Sequence, residues 1–530
     1  MKNFSLVFAS ALAALAVTPL ASATTVEVLG AGSSAMWQTA AIGAWKQLAG
    51  SGAQHYTVKG KCPSTGSTNC AQLHDLRSAS ILPEGGNLWV VWSADQSKVW
   101  GYLSVDSVVG NRSFFASPRV QLQVSSLTES TAGQQLISSS LWGSDAAALP
   151  AAVYNAINNA SVTTAFTDIR PEDAKFAQSR AVSPLDTSTY SGLGYGTSAN
   201  QLIGTQIFSA FSKAVANPVA FNISGSDPFT GQPVKAYTTI SVGASPIVFI
   251  INRTNSHGLG NGAVKNIELA NVQDLYNGTE CNGVEFGSGA PNVPVKVILR
   301  EPLSGTMNTT EFTNFRLRST PNNSQEVGVD PPAGGDNNPL NKPCNAGGGS
   351  RERAIGTGEV VNTAVLNTAD SIGYAFFGYG NFSKIAGTPS YGYVTLNGVD
   401  PIQHSYTNGE LPTCTAPCPV TPGSSFPNLR GGTYRSWSVL RVVTDSAGAN
   451  LTNTQALVTA MQENINSTVP DWVPFAAVGG DPGLKLYRSH YTQSGVAPNN
   501  GLGGQKESGG DVGGCIEHVG PPPGVLNCHQ

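Results

Sequence analysis

Four short stretches of this 530-residue chain carry side chains that could grip a small anion. The first is Gly30-Ala31-Gly32-Ser33-Ser34-Ala35, set between a strand-like run and a helical pattern. Glycines there let the backbone approach closely, and Ser33 and Ser34 fall on a helix's first turn, where free N–H groups and the positive dipole end attract negative charge. The same residues fit the dinucleotide pattern G-x-G-x-x-A, which requires an acidic residue about 20 positions later. No Asp or Glu lies between Ala31 and His74, so that reading is set aside; a plain N-cap remains the simpler alternative.

The second stretch is Arg300-Glu301-Pro302-Leu303-Ser304-Gly305-Thr306. An apolar run ends in an arginine, and Ser-Gly-Thr opens another helix four residues on. A guanidinium, two hydroxyls and helical N–H groups would converge on one tetrahedral oxyanion. The third is Thr167-Asp168-Ile169-Arg170-Pro171, an Asp at the end of an apolar run, for which a capping role is the plain alternative. The fourth is Ser104-Val105-Asp106-Ser107-Val108-Val109-Gly110, read as hydroxyls flanking a turn.

The elements needed to hold these stretches alternate in type. Strands are expected at 25–30, 88–92, 99–103, 247–251, 295–299, 372–379 and 436–444. Helices are expected at 33–49, 271–276, 306–318, 360–367 and 454–465, with a helical turn at 171–178. In 33–49, Met36, Trp37, Ala40, Ala41, Ala44, Trp45 and Leu48 make one apolar face. Such alternation predicts an α/β fold with mostly parallel sheets. Residues 322–351 and 498–530 are Gly- and Pro-rich interruptions, the latter a tail.

The compartment is legible at the start of the chain. Lys2, an apolar run over 6–20 and Ala21-Ser22-Ala23 describe a secretory signal peptide cut near Ala23, so a periplasmic or secreted protein is expected, with no membrane insertion after cleavage. Cys62, Cys70, Cys281, Cys344, Cys414, Cys418, Cys515 and Cys528 then suit disulfides, four local pairs in chain order being the simplest scheme. Cys515, His518, Cys528 and His529 could be drawn as a zinc site, but a disulfide is preferred, and no cofactor or metal is expected. Sequons such as those at Asn111, Asn252 and Asn381 do not decide the organism. Only 12% of residues are charged and the net charge is −4, which argues against a nucleic-acid partner.

Taken in order, the four stretches resemble the phosphate-binding proteins of phosphate ABC importers, which have the type II periplasmic-binding-protein fold. That family opens with strand, Gly-Ala-Gly, hydroxyl and helix, as Gly30–Ser34 does. The segments SPIVFIIN, ELANVQDLYNG and SIGYAFFGYG are similar to its crossover strand, a lobe-two helix and the returning crossover. The resemblance covers about 25–491 and implies two lobes around a cleft. These would be lobe one at 24–239 and 384–497, with insertions, and lobe two at 240–383. It implies an inorganic phosphate ligand held by Ser33, Ser34, Ala35, Ser107, Asp168, Arg300, Ser304, Gly305 and Thr306. Arsenate, with nearly the same shape and charge, would also fit. A membrane permease as partner and a monomeric state follow as expectations. The chain departs from the family two residues after the Arg, where Pro302 replaces an acidic residue and Glu301 stands one step early. The alternatives are a secreted phosphatase and a structural or adhesive protein. Against the phosphatase, the seven His have no metal-ligand spacing and no Ser lies in a G-x-S-x-G elbow.

Overall fold

The computed structural model describes residues 23–59, 71–78, 84–124, 133–144, 146–171, 174, 221–300, 303–310, 313–314, 342–354, 356–361, 367–382, 390–404, 406, 409–411, 419–468, 470–484, 486–488, 516–518 and 526–527. The signal sequence lies outside these residues, as do Cys62, Cys70, Cys414, Cys418, Cys515, Cys528, Glu301, Pro302, nearly all of the turn at 171–178 and most of the tail.

In chain order, β1 (Thr25–Gly32) leads through a 3₁₀ turn (Ser34–Met36) into α1 (Trp37–Leu48). Next come β2 (Gln54–Val58), β3 (Asn87–Trp92), β4 (Lys98–Ser104), α2 (Ser107–Phe115) and β5 (Thr164–Thr167). A 16-residue strand, β6 (Tyr237–Asn252), follows. Beyond it lie α3 (Leu269–Asn277), β7 (Lys296–Arg300), α4 (Gly305–Thr310), β8 (Ser350–Ala354) and α5 (Gly356–Val360). The chain continues with β9 (Ser371–Phe376), β10 (Tyr391–Leu396), β11 (Trp437–Asp445) and α6 (Ala449–Thr468).

The fold is α/β and two-lobed. The first sheet runs β2-β3-β4-β1-β5-β11-β6, and β1 pairs parallel with both β4 and β5. The second has β7 parallel to β8 and β9, and β9 and β10 antiparallel to β6. These parallel centres carry the site-bearing loops at their carboxyl ends, where crossover connections leave a crevice. The long strand β6 belongs to both sheets: Tyr237 to Pro246 pair with β11, and Ile247 onward with β9 and β10. At this crossing the Ser245 hydroxyl donates to the carbonyls of Phe377 (3.2 Å) and Asp471 (3.4 Å).

Apolar packing covers both faces of each sheet, which is why the central strands are buried throughout rather than alternating. On the first sheet, Leu29 and Ala31 of β1 pack with Val108, Val109, Phe114 and Phe115 of α2. Val28 faces the other way, toward Met36, Ala40 and Ala44 and toward Leu457 and Met461 of α6. On the second sheet, Ile247, Phe249 and Ile251 pack with Val272 and Leu275 of α3, while Val248 and Ile250 line the opposite face.

Cys281 and Cys344 form a disulfide, the pair that chain order assigns them. Asn111 and Asn252 are buried, so neither sequon is open to glycosylation in the folded chain. No helix among the described residues is long and apolar enough to cross a membrane.

Candidate functional site

The site begins with a glycine. Gly32 ends β1 at φ +137°, with its Cα packed against the Phe166 carbonyl of β5, a conformation and a closeness that a side chain would forbid. The turn that follows delivers Ser33, whose N–H donates to that same carbonyl at 2.9 Å. The Ser33 hydroxyl donates to Asp168 Oδ1 and accepts the Ala35 N–H at 3.2 Å. Tyr102 of β4 donates its hydroxyl to the Ser33 carbonyl, fixing the turn from below.

Asp168 sits just past β5 and is 2% exposed. Its N–H donates to the Ser107 hydroxyl at 3.2 Å, and its carbonyl accepts from Ser438 at 3.0 Å and from Arg441 Nη1 at 3.5 Å. Burial pushes its carboxyl up to about 6, opposed by the Ser33 hydrogen bond, the Arg300 charge, the Ser107 hydroxyl and the Arg441 charge. A carboxylate so poorly hydrated needs a hydrogen-bond donor or a proton.

Ser107, read as one of the hydroxyls flanking a turn, opens the nine-residue helix α2. All nine residues are buried, so no amphipathic stripe betrays the helix in the sequence.

The second lobe supplies the cationic side. Arg300 ends β7 and is 2% exposed. Its Nη1 donates to Thr306 Oγ1 and to Thr357 Oγ1, both at 3.3 Å, and its Nη2 reaches Asp106 Oδ1 at 3.5 Å. The Ser304 hydroxyl accepts the Met307 N–H at 3.2 Å, a cap on α4 that is compatible with donating its own hydrogen. The Ser34 hydroxyl and Thr357 Oγ1 lie 3.2 Å apart across the cleft. Ser33, Ser107, Asp168 and Gly305 thus meet at one point, and Ser34, Arg300, Thr306 and Thr357 at its edge. Of the two adjacent serines, Ser33 bonds Asp168 and Ser34 faces Thr357.

Three participants were not read as such in the sequence. Thr357 is flanked by Gly356 and Gly358, a hydroxyl in a flexible setting that was the available signal. Asp106 lies inside the Ser104–Gly110 stretch, where its hydroxyl neighbours give the stronger signal. Tyr102 acts only through the Ser33 carbonyl.

Gly305 lies directly against Ser107 and Asp168 of the other lobe. A Cβ built there would stand 2.7 Å from Asp168 Oδ2 and closer still to the Ser107 hydroxyl. Gly305→Ala is therefore expected to wedge the cleft and weaken anion binding by at least ~10-fold, about 1.4 kcal/mol, while the melting temperature without ligand changes little. Titration of the variant alongside wild type checks this; equal affinities would place Gly305 away from the ligand.

The arrangement can hold and desolvate an anion bearing a proton. Among the described residues no group of three His, Cys, Asp or Glu is placed to hold a metal ion.

No protein-family profile matches the chain, and no curated protein sequence matches it. Several solved structures are similar to it. One is an ABC-type phosphate transport receptor from Vibrio cholerae, at 13% identity and TM-score 0.27, over 46% of this chain and 78% of that one. Another is a high-affinity periplasmic phosphate-binding protein, PfluDING, bound with phosphate, at 12% identity and TM-score 0.33, over 84% and 90%. A third is a human phosphate binding apolipoprotein, at 12% identity and TM-score 0.34, over 84% and 91%.

Proposed function

We propose that this chain is an exported solute-binding protein that captures inorganic phosphate in the cleft between its lobes. The observation that carries the reading is a buried carboxylate, Asp168, within electrostatic reach of a buried guanidinium, Arg300, among hydroxyls from both lobes. A carboxylate repels a fully ionised oxyanion but accepts a hydrogen bond from one that keeps a proton. Phosphate near neutral pH keeps a proton and sulfate does not. Ser33, Ser107 and Asp168 hold the ligand from lobe one, with Ser34 and the Ala35 backbone beside them. Arg300, Ser304, Gly305 and Thr306 hold it from lobe two, and closure strips water from each hydrogen bond. Arsenate fits the same description.

The lobes are proposed as 24–239 with 384–497, and 240–383. Within this proposal β10 (391–396) stays with lobe two, because it pairs with Phe249 to Asn252 of β6 on the edge opposite β9, so the return to lobe one is proposed to follow Leu396. Export through a cleaved signal sequence, a monomeric state and delivery to a membrane permease belong to the same proposal.

Millimolar phosphate is expected to raise the melting temperature of ligand-stripped protein by mass action, and sulfate is not. An absent phosphate shift would refute the reading. A chromogenic phosphate ester, tried with and without divalent metal, separates binder from phosphatase; sustained turnover would favour the enzyme.

A further inference from the structure

Asp106 occupies the N-cap of α2, the position where an Asp side chain ordinarily accepts the N–H of the second or third helical residue. Its carboxylate makes no such bond. The second helical N–H, that of Val108, donates instead to the Leu303 carbonyl of lobe two at 3.3 Å. The Asp106 carboxylate, 15% exposed, is turned to the Arg300 guanidinium, 3% exposed. The two contacts cross the cleft together: lobe two supplies the cap of a lobe-one helix, and that helix's own capping residue reaches the lobe-two arginine.

We propose that Asp106 is a positioning residue that changes partners as the lobes close. With the lobes apart, its carboxylate caps α2 in the ordinary way. As they meet, the Leu303 carbonyl takes over the Val108 N–H and frees Asp106 to pair with Arg300, aligning the guanidinium toward Thr306, Thr357 and the ligand. The Val108 N–H has an acceptor in both arrangements, and on opening the Leu303 carbonyl and Arg300 Nη2 turn to water, so neither arrangement carries a large penalty for unmade bonds. The charge pair exists only in the closed one and biases the equilibrium toward it. This rests on the phosphate reading for its ligand but not for its mechanism.

Two substitutions separate the two roles. Asn caps a helix about as well as Asp but carries no charge, whereas Glu carries the charge and caps poorly. Asp106→Asn is expected to keep the ligand-free melting temperature and to lower phosphate affinity by about 10-fold, on the order of 1.4 kcal/mol. Asp106→Glu is expected to lower the melting temperature while retaining more of the affinity than Asp106→Asn. A purely structural cap would give the reverse pattern: wild-type affinity for Asp106→Asn and a stability loss alone for Asp106→Glu. A second arm needs no ligand. Spin labels attached through Gln47→Cys on α1 and Ala270→Cys on α3, both exposed positions, report the distance between lobes. Without phosphate, Asp106→Asn is expected to shift the distribution toward longer distances than the wild-type background. An unshifted distribution overturns the partner exchange, whether or not phosphate binds. If wild type itself failed to bind phosphate, the functional reading would fall and the distance measurement alone would decide the exchange.

Discussion

Asp168→Asn is expected to narrow the phosphate-to-sulfate affinity ratio by about 100-fold, roughly 3 kcal/mol, the order of a like-charge juxtaposition out of water. The Ser33 hydroxyl already donates to Asp168 Oδ1, so the Asn carbonyl would keep that partner. The amide nitrogen then replaces Oδ2, the oxygen that faces Gly305 and the cleft. A donor there accepts sulfate without repulsion and loses the proton that phosphate gives. Competition titrations of both proteins measure the ratio; an unchanged ratio would remove Asp168 from the ligand.

The same variant carries a stability signature without ligand. Burial raises the Asp168 carboxyl from 3.8 to about 6 in the folded chain. Between those values the folded state binds more protons than the unfolded one, so this group's contribution to stability falls as pH rises through the window. The shift corresponds to about 3 kcal/mol at neutral pH. Asp168→Asn removes the charge that burial opposes, and its ligand-free melting temperature at pH 7.5 should exceed that of wild type. The gap should shrink as pH falls below 6. A variant less stable than wild type at pH 7.5 would contradict this.

Arg300→Ala is expected to weaken phosphate binding by about 3 kcal/mol, ~100-fold, because a guanidinium bonded to an anion away from water contributes through charge-assisted bonds. The loss is larger than removal of a surface cation would cause, since Arg300 is 2% exposed and its deletion removes a buried positive charge that faces Asp106 and Asp168. Calorimetric titration checks it. A change under ~0.5 kcal/mol, the scale of an exposed ion pair, would take Arg300 out of the site.

What the sequence disclosed followed from local chemistry. β1 and the turn into α1 were legible because glycines and hydroxyls between a strand and an amphipathic helix have few other uses. Arg300 and Ser-Gly-Thr were legible for a similar reason, an apolar strand ending in a charge. Long-range pairing was not. Asp106 and Arg300 are 194 residues apart, and no local pattern joins them. The strand read at 247–251 extends over all of β6, because its Thr- and Ser-rich first half is held by pairing with β11 rather than by its own alternation. α2 escaped as a helix because it is buried on every side, which leaves no polar face to set a period.

The proposed cleft accepts a protonated oxyanion and refuses an unprotonated one. Isothermal titration of the mature, ligand-stripped protein with phosphate and then with sulfate at pH 7.5 tests it most directly. One-site phosphate binding with a Kd of ~1 μM or tighter, about −8 kcal/mol, and no measurable sulfate heat are the expected result. Equal affinities for the two anions, or no heat with either, would contradict it.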